Sequence, residues 1–167
     1  MSAGFQCEYC GDVHNGSPAG FAVPAPAFWQ DSMHGVDGHV LTSDQCVIGD
    51  EHFFLRGRLL LPIVDSDDVF DWGVWVSASR ASFVRADDMW SNPARVDDDP
   101  IGGYLANILP TYEPSTLNLR ARLHAQPVGQ RPLVELEPTD HPLAVEQREG
   151  ISASRIQALV ERFAHPA

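Results

Sequence analysis

Lysine is absent from this chain. All eleven basic residues are arginine, which excludes Schiff-base catalysis and any lysine-centred phosphate loop; biased codon usage is a sufficient account of the bias. Positive charge is scarce altogether. Twenty-three acidic residues give a net charge of -12, so the chain repels nucleic acid and anionic membrane surfaces over a Debye length of roughly 8 to 10 Å. Neither partner is expected. No apolar run approaches the roughly 18 to 20 residues needed to span a bilayer, and no internal repeat or low-complexity segment is present. Met1 to Gln6 has neither a basic segment nor an apolar core, so no secretory signal is expected and a cytoplasmic location fits. Cysteine is limited to three, two of them three residues apart, which argues against a disulfide framework and for a reduced compartment.

What the chain does have is apolar alternation. The 167 residues, 44% of them apolar, suffice for one domain with a sizeable core. Its centre is the stretch from Glu51 to Ser79. Phe53, Leu55, Gly57, Leu59 and Leu61 share one face of a strand and Arg56 and Arg58 the other; Phe70, Trp72, Val74 and Val76 then oppose Asp71, Gly73, Trp75 and Ser77. This predicts a core hairpin.

Ahead of it, Pro18 to Gly38 reads as an ordered loop with a short helix around Ala27 to Met33, and Ser43 to Asp50 as a short strand with a Gly49-Asp50 turn. After it, Ser79 to Asn92 reads as a helix capped at Ser77 or Ser79 with a stripe at Phe83, Ala86 and Trp90. Gly103 to Leu109, Leu117 to His124 and Pro132 to Glu137 read as strands, His141 to Gln147 as a short helix, and residues 152–164 as an amphipathic helix with Ile156, Leu159, Val160 and Phe163 on one face. Hairpin order with few helices predicts an α+β fold: a single domain, residues 1–167, with a mainly antiparallel sheet (residues 43–137), a C-terminal helix, and a zinc-knuckle-like segment over residues 1–20.

Cys7, Glu8, Tyr9, Cys10 and Gly11, with His14 and Pro18, then Ser43 to Cys46, Phe54 to Gly57, Phe70 to Ser77, Arg131-Pro132 and Asp140 to Leu143 together resemble the bacterial domain-of-unknown-function family 2199. The resemblance runs from about Phe5 to Phe163. It implies a small single-domain bacterial protein and no established activity.

Three constellations could carry chemistry. Cys7 and Cys10 have the form of a zinc knuckle, and soft sulfur and imidazole make Cys46 and His14 the natural remaining ligands of a structural, four-coordinate Zn2+. The alternatives are a turn with two partly buried thiols and, less well supported, a redox pair, since Gly11-Asp12 does not start a helix. Arg56, Arg58, Arg120 and Arg122, with His124, Glu135 and Glu137, lie opposite apolar positions and form a polar sheet face. That face is either a solvated ladder of ordinary pairs or a surface for a protein partner with an acidic patch. Asp140-His141-Pro142 invites a catalytic reading, but adjacent residues rarely orient each other and no nucleophile elbow is present. The acidic runs at Asp65 to Asp68 and Asp97 to Asp99 lack the pattern of a calcium loop. The function expected is a zinc-stabilised protein-interaction module without catalysis. The alternative is a metal-dependent hydrolase with an open zinc position near His14 or His141.

Overall fold

The computed structural model describes residues 5–6, 13–14 and 20–164, with side chains from 20 to 162. Strands β1 (Phe5–Gln6) and β2 (Val13–His14) pair antiparallel, Phe5 opposite His14. The predicted hairpin is present as β6 (His52–Pro62) and β7 (Val69–Ala78), paired antiparallel over ten residue pairs from Phe53–Ala78 to Pro62–Val69. Its two faces sort as the alternation demands. Leu55, Leu59, Leu61, Phe70, Trp72, Val74 and Val76 are buried in the main core.

The other strands are β3 (Gly20–Ala22), β4 (Val40–Leu41), β5 (Gln45–Ile48), β8 (Ile101–Tyr104), β9 (Arg120–His124) and β10 (Leu133–Leu136). They run in the order β3-β7-β6-β10-β9-β8, with β5 on β6 and β4 on β5. The sheet is mixed, which corrects the expectation of a mainly antiparallel one: β3 runs parallel to β7, and β10 meets β6 parallel at Leu133–Arg58. Both parallel contacts join strands far apart in sequence, so local alternation carried no sign of them. The sheet also takes in β3 and β4, ahead of residue 43.

The sheet curls until β7 meets the chain that follows β8. Beyond β8, Val76 bridges Leu105 and the Ala106 amide donates to the Trp75 carbonyl (2.8 Å), which closes β7, β6, β10, β9 and β8 into a small barrel. Its interior is tight at Gly57, where a Cβ would lie 2.6 Å from Val134 Cγ2 and 2.9 Å from Leu123 Cδ2. Only glycine fits there. Leu105 to Leu109, predicted as the end of a strand, is irregular because its backbone serves several partners: Leu105 N–H bonds Leu119 O, and Ala27 N–H bonds Ala106 O.

Among the described residues three α-helices complete the fold: α1 (Arg80–Asp88), α2 (Pro142–Glu149) and α3 (Ala153–Ala164). Ser79 caps α1, its Oγ accepting from the Ser82 amide (3.1 Å), as a side-chain acceptor at that position should. Leu143 and Ala144 of α2 and Ile156, Leu159 and Val160 of α3 are buried in the barrel core, as the 3.6-residue period predicts; the side chain of Phe163 lies outside the described residues. Between β6 and β10, where the two strands diverge, α2 supplies the missing ladder partner. Gln147 Oε1 accepts from Leu136 N–H and Gln147 Nε2 donates to Val134 O, both at 2.8 Å.

A second, smaller core covers one end of the hairpin's outer face. Phe54 and Trp75 lie there under Cys46, Ile48 and Ala106, with Trp29, Met33 and Leu41 against them. Asn107, also buried, ties this layer down: its Oδ1 accepts from Trp75 N–H (2.8 Å) and its Nδ2 donates to Ala25 O (2.9 Å). The rest of the outer face carries the arginines. Among the described residues, no helix is long and apolar enough to cross a membrane.

Candidate functional site

Alternation along β6 turns Arg56 and Arg58 outward, just beyond the aromatic layer. With Leu133 beside Arg58 in the parallel register, Arg131 falls beside Arg56. Two like charges side by side across strands are ordinarily unfavourable. Here carboxylates hold the guanidinium groups in place: Arg58 Nε donates to Asp71 Oδ2 (2.7 Å) and Arg131 Nε to Asp44 Oδ1 (2.7 Å), while Ser43 Oγ supports the other Asp44 oxygen (2.9 Å). Arg56 has less. Its Nη1 reaches Ser43 O at 3.3 Å, and its Nε, like Asp71 Oδ1, is buried with no hydrogen-bond partner among the described residues.

The charges respond accordingly. Burial, then the neighbouring Arg131 charge, holds the Arg56 guanidinium below its ordinary pKa, with Asp44 and Asp71 pulling the other way. For Asp44, burial favours the neutral acid, but hydrogen bonds from Arg131 and Ser43 and the charges of Arg131 and Arg56 outweigh it, so its pKa is lowered. Three guanidinium groups face two carboxylates, leaving one positive charge in excess on a chain of net charge -12. The hollow they border measures about 280 Å³ and has Gly20, Ala22 and Gly73 among the residues on its other side. A Cβ on Gly73 would stand 3.1 Å from Arg56 Nη2, so the bare backbone there lets that guanidinium lie low against the sheet.

Such an arrangement has the chemistry to hold an oxyanion. Because Asp71 and Asp44 engage the Nε edges, Nη1 and Nη2 of Arg58 and Arg131 have no hydrogen-bond partner among the described residues. Those are the forks that match a carboxylate in two-point geometry. With side chains 41% and 40% exposed, Arg58 and Arg131 are accessible.

The other predicted residues are placed as follows. Arg120 and Arg122 share the sheet's outer face with Arg56 and Arg58 but stand on β9, with β10 between. Both are exposed, beside a groove of about 470 Å³ that also has Tyr104, Glu135 and Glu137 on its walls. In the expected ladder Arg122 does stand opposite Glu135, whose Oε1 accepts from His124 Nε2 (3.3 Å). Cys7 and Cys10 lie outside the described residues, and His14 is described only as the β2 residue opposite Phe5. Cys46 is fully buried in the second core, where desolvation pushes its thiol up to about 12; a thiolate there needs a bound cation to offset its burial. Among the described residues no three His, Cys, Asp or Glu side chains are grouped as a metal site.

His141 serves the backbone. Its Nδ1 accepts from Leu143 N–H (3.1 Å) as the cap of α2, which leaves Nε2 to donate to Pro114 O (2.7 Å). Both ring nitrogens are engaged. That is a structural role, in place of the catalytic dyad with Asp140.

Sequence reasoning missed Arg131, Asp44, Asp71 and Gly73 as members of the patch. A signal existed: segments 43–46, 54–57, 70–77 and 131–132, all quoted for the family resemblance, meet at this one place. No curated protein and no solved structure matches the chain. A family model covering residues 6–151 does match, and the chain therefore belongs to the family described as uncharacterized protein conserved in bacteria (DUF2199).

Proposed function

We propose that the protein is a non-catalytic binding module that docks an acidic segment of another protein on Arg56, Arg58 and Arg131. The observation that carries this is the convergence of three guanidinium groups, two of them with unused forks, on one hollow of a strongly acidic chain. Steering by local positive charge and two-point carboxylate recognition are what such a patch provides. Arg120 and Arg122 extend the contact across β10. The N-terminal segment is held by a structural Zn2+ on Cys7, Cys10, His14 and Cys46. In support, His14 pairs antiparallel with Phe5, two residues ahead of Cys7 in the sequence. The hydrolase alternative has no observation of its own in favour, since His141 is committed to the α2 cap.

The test is a titration of 15N-labelled protein with a glutamate-rich peptide at low and physiological salt, on the wild type and on the Arg56→Gln/Arg131→Gln double variant. Shifts confined to Arg56, Arg58, Gly73 and Arg131, weakened by salt and abolished in the variant, are expected. Shifts mapping elsewhere, or unchanged in the variant, would refute the reading.

A further inference from the structure

The spacing of the arginines carries more than their charge. Arg56 and Arg58 are alternate residues of one extended strand, so their side chains leave the same face about 6.6 to 6.8 Å apart. An extended peptide has that same repeat. Its residues i and i+2 leave one face at the same distance, while residue i+1 points away. Beside Arg58 the outer face of β7 and β3 carries only Asp71, Gly73, Gly20 and Ala22, while Trp75 stands opposite Arg56 and lies buried in the second core. Small side chains there let a peptide backbone approach the sheet.

We infer that the patch reads two acidic side chains separated by one residue in an extended segment, the first on Arg56 and Arg131 together and the second on Arg58. The inference rests on the acidic-partner reading above and specifies what that partner presents. The first position is the stronger, because two adjacent guanidinium groups converge there on one carboxylate, which neutralises the excess positive charge of the patch. The second is weaker, since Asp71 already engages Arg58. Asp71 sits on the Nε edge, however, so an arriving carboxylate meets the cation before it meets the anion. Two carboxylates one residue apart in sequence leave opposite faces of an extended chain, and only one of them can reach the column. Three residues apart, the two again leave opposite faces.

The experiment uses four otherwise identical peptides built on Ala, Ser and Thr: one with a single Glu, and three with two Glu residues at i+1, i+2 or i+3. Each is titrated against the full chain by NMR, alongside inorganic phosphate. The i+2 peptide is expected to bind about fivefold more tightly than the other three, the scale of one partly exposed charge pair. In Arg58→Gln that advantage disappears while the single-Glu peptide binds as before; in Arg56→Gln/Arg131→Gln all four weaken. Thermal melts and unchanged distant resonances show that each variant is folded. If the four peptides bind the patch equally, or Arg58→Gln leaves the ranking intact, the spacing inference is wrong and the acidic-partner reading survives. If phosphate matches the i+2 peptide, the patch reads an oxyanion and not a spacing. If no peptide shifts the patch, both readings fall.

Discussion

Asp44 occupies the pivotal position of the patch, because a single carboxylate orients Arg131 and offsets part of the Arg56 charge. Its folded pKa lies below the ordinary carboxylate value, so in the acid range the unfolded chain binds a proton that the folded chain refuses. The stabilisation is therefore complete above the unfolded value of about 3.9 and is lost as pH falls through the lower folded value. Urea unfolding of wild type and Asp44→Asn should differ by a constant amount, about 1 kcal/mol for a partly exposed charged hydrogen bond, from pH 7 to pH 5. The difference should then shrink below pH 4. A gap that widens on acidification would show that Asp44 is held by something other than these cations. Alternation made Arg56 and Arg58 legible as outward-facing residues, and nothing local did the same for Arg131, which leads into a four-residue strand. Its place beside Arg56 is a matter of register between strands more than seventy residues apart in sequence.

At the scale of elements, Gln147 is the clearest dependency. Its amide fills both the donor and the acceptor roles that a neighbouring strand would fill along β10. Gln147→Ala leaves Leu136 N–H and Val134 O, both on buried residues, without partners, at about 1 to 3 kcal/mol for each group that water cannot reach. Gln147→Glu keeps the acceptor but turns a carboxylate oxygen toward the Val134 carbonyl, so it should rescue less than half of the loss. Thermal and urea melts of the two variants check this; equal stability of Gln147→Ala and wild type would mean that water replaces the amide at no cost. The hairpin, the α1 cap and the α3 stripe were legible because each is specified by residues close in sequence. The parallel pairings and this helix-borne amide were not, since periodicity reports which face a residue takes and says nothing of which element it meets.

For the molecule as a whole, two covers share the hairpin's outer face: the aromatic layer over Phe54 and Trp75, and, in the proposal, a partner over Arg56 and Arg58. A metal on Cys7 and Cys10 would fix a segment of chain and not an active group. Elemental mass spectrometry of untagged protein purified without chelator should give close to one zinc per chain, and Cys7→Ser should lose both the metal and several degrees of Tm. Metal-free wild type with an unchanged melt would remove zinc from the account and leave the arginine patch untouched.

Closure of the sheet has a consequence for self-association. Exposed ladder edges are where one chain adds to another and fibrils begin. Along the seam between β6 and β10 that edge is stopped by a side chain. Gln147 thus occupies, along that seam, the place where the strand of another chain would pair.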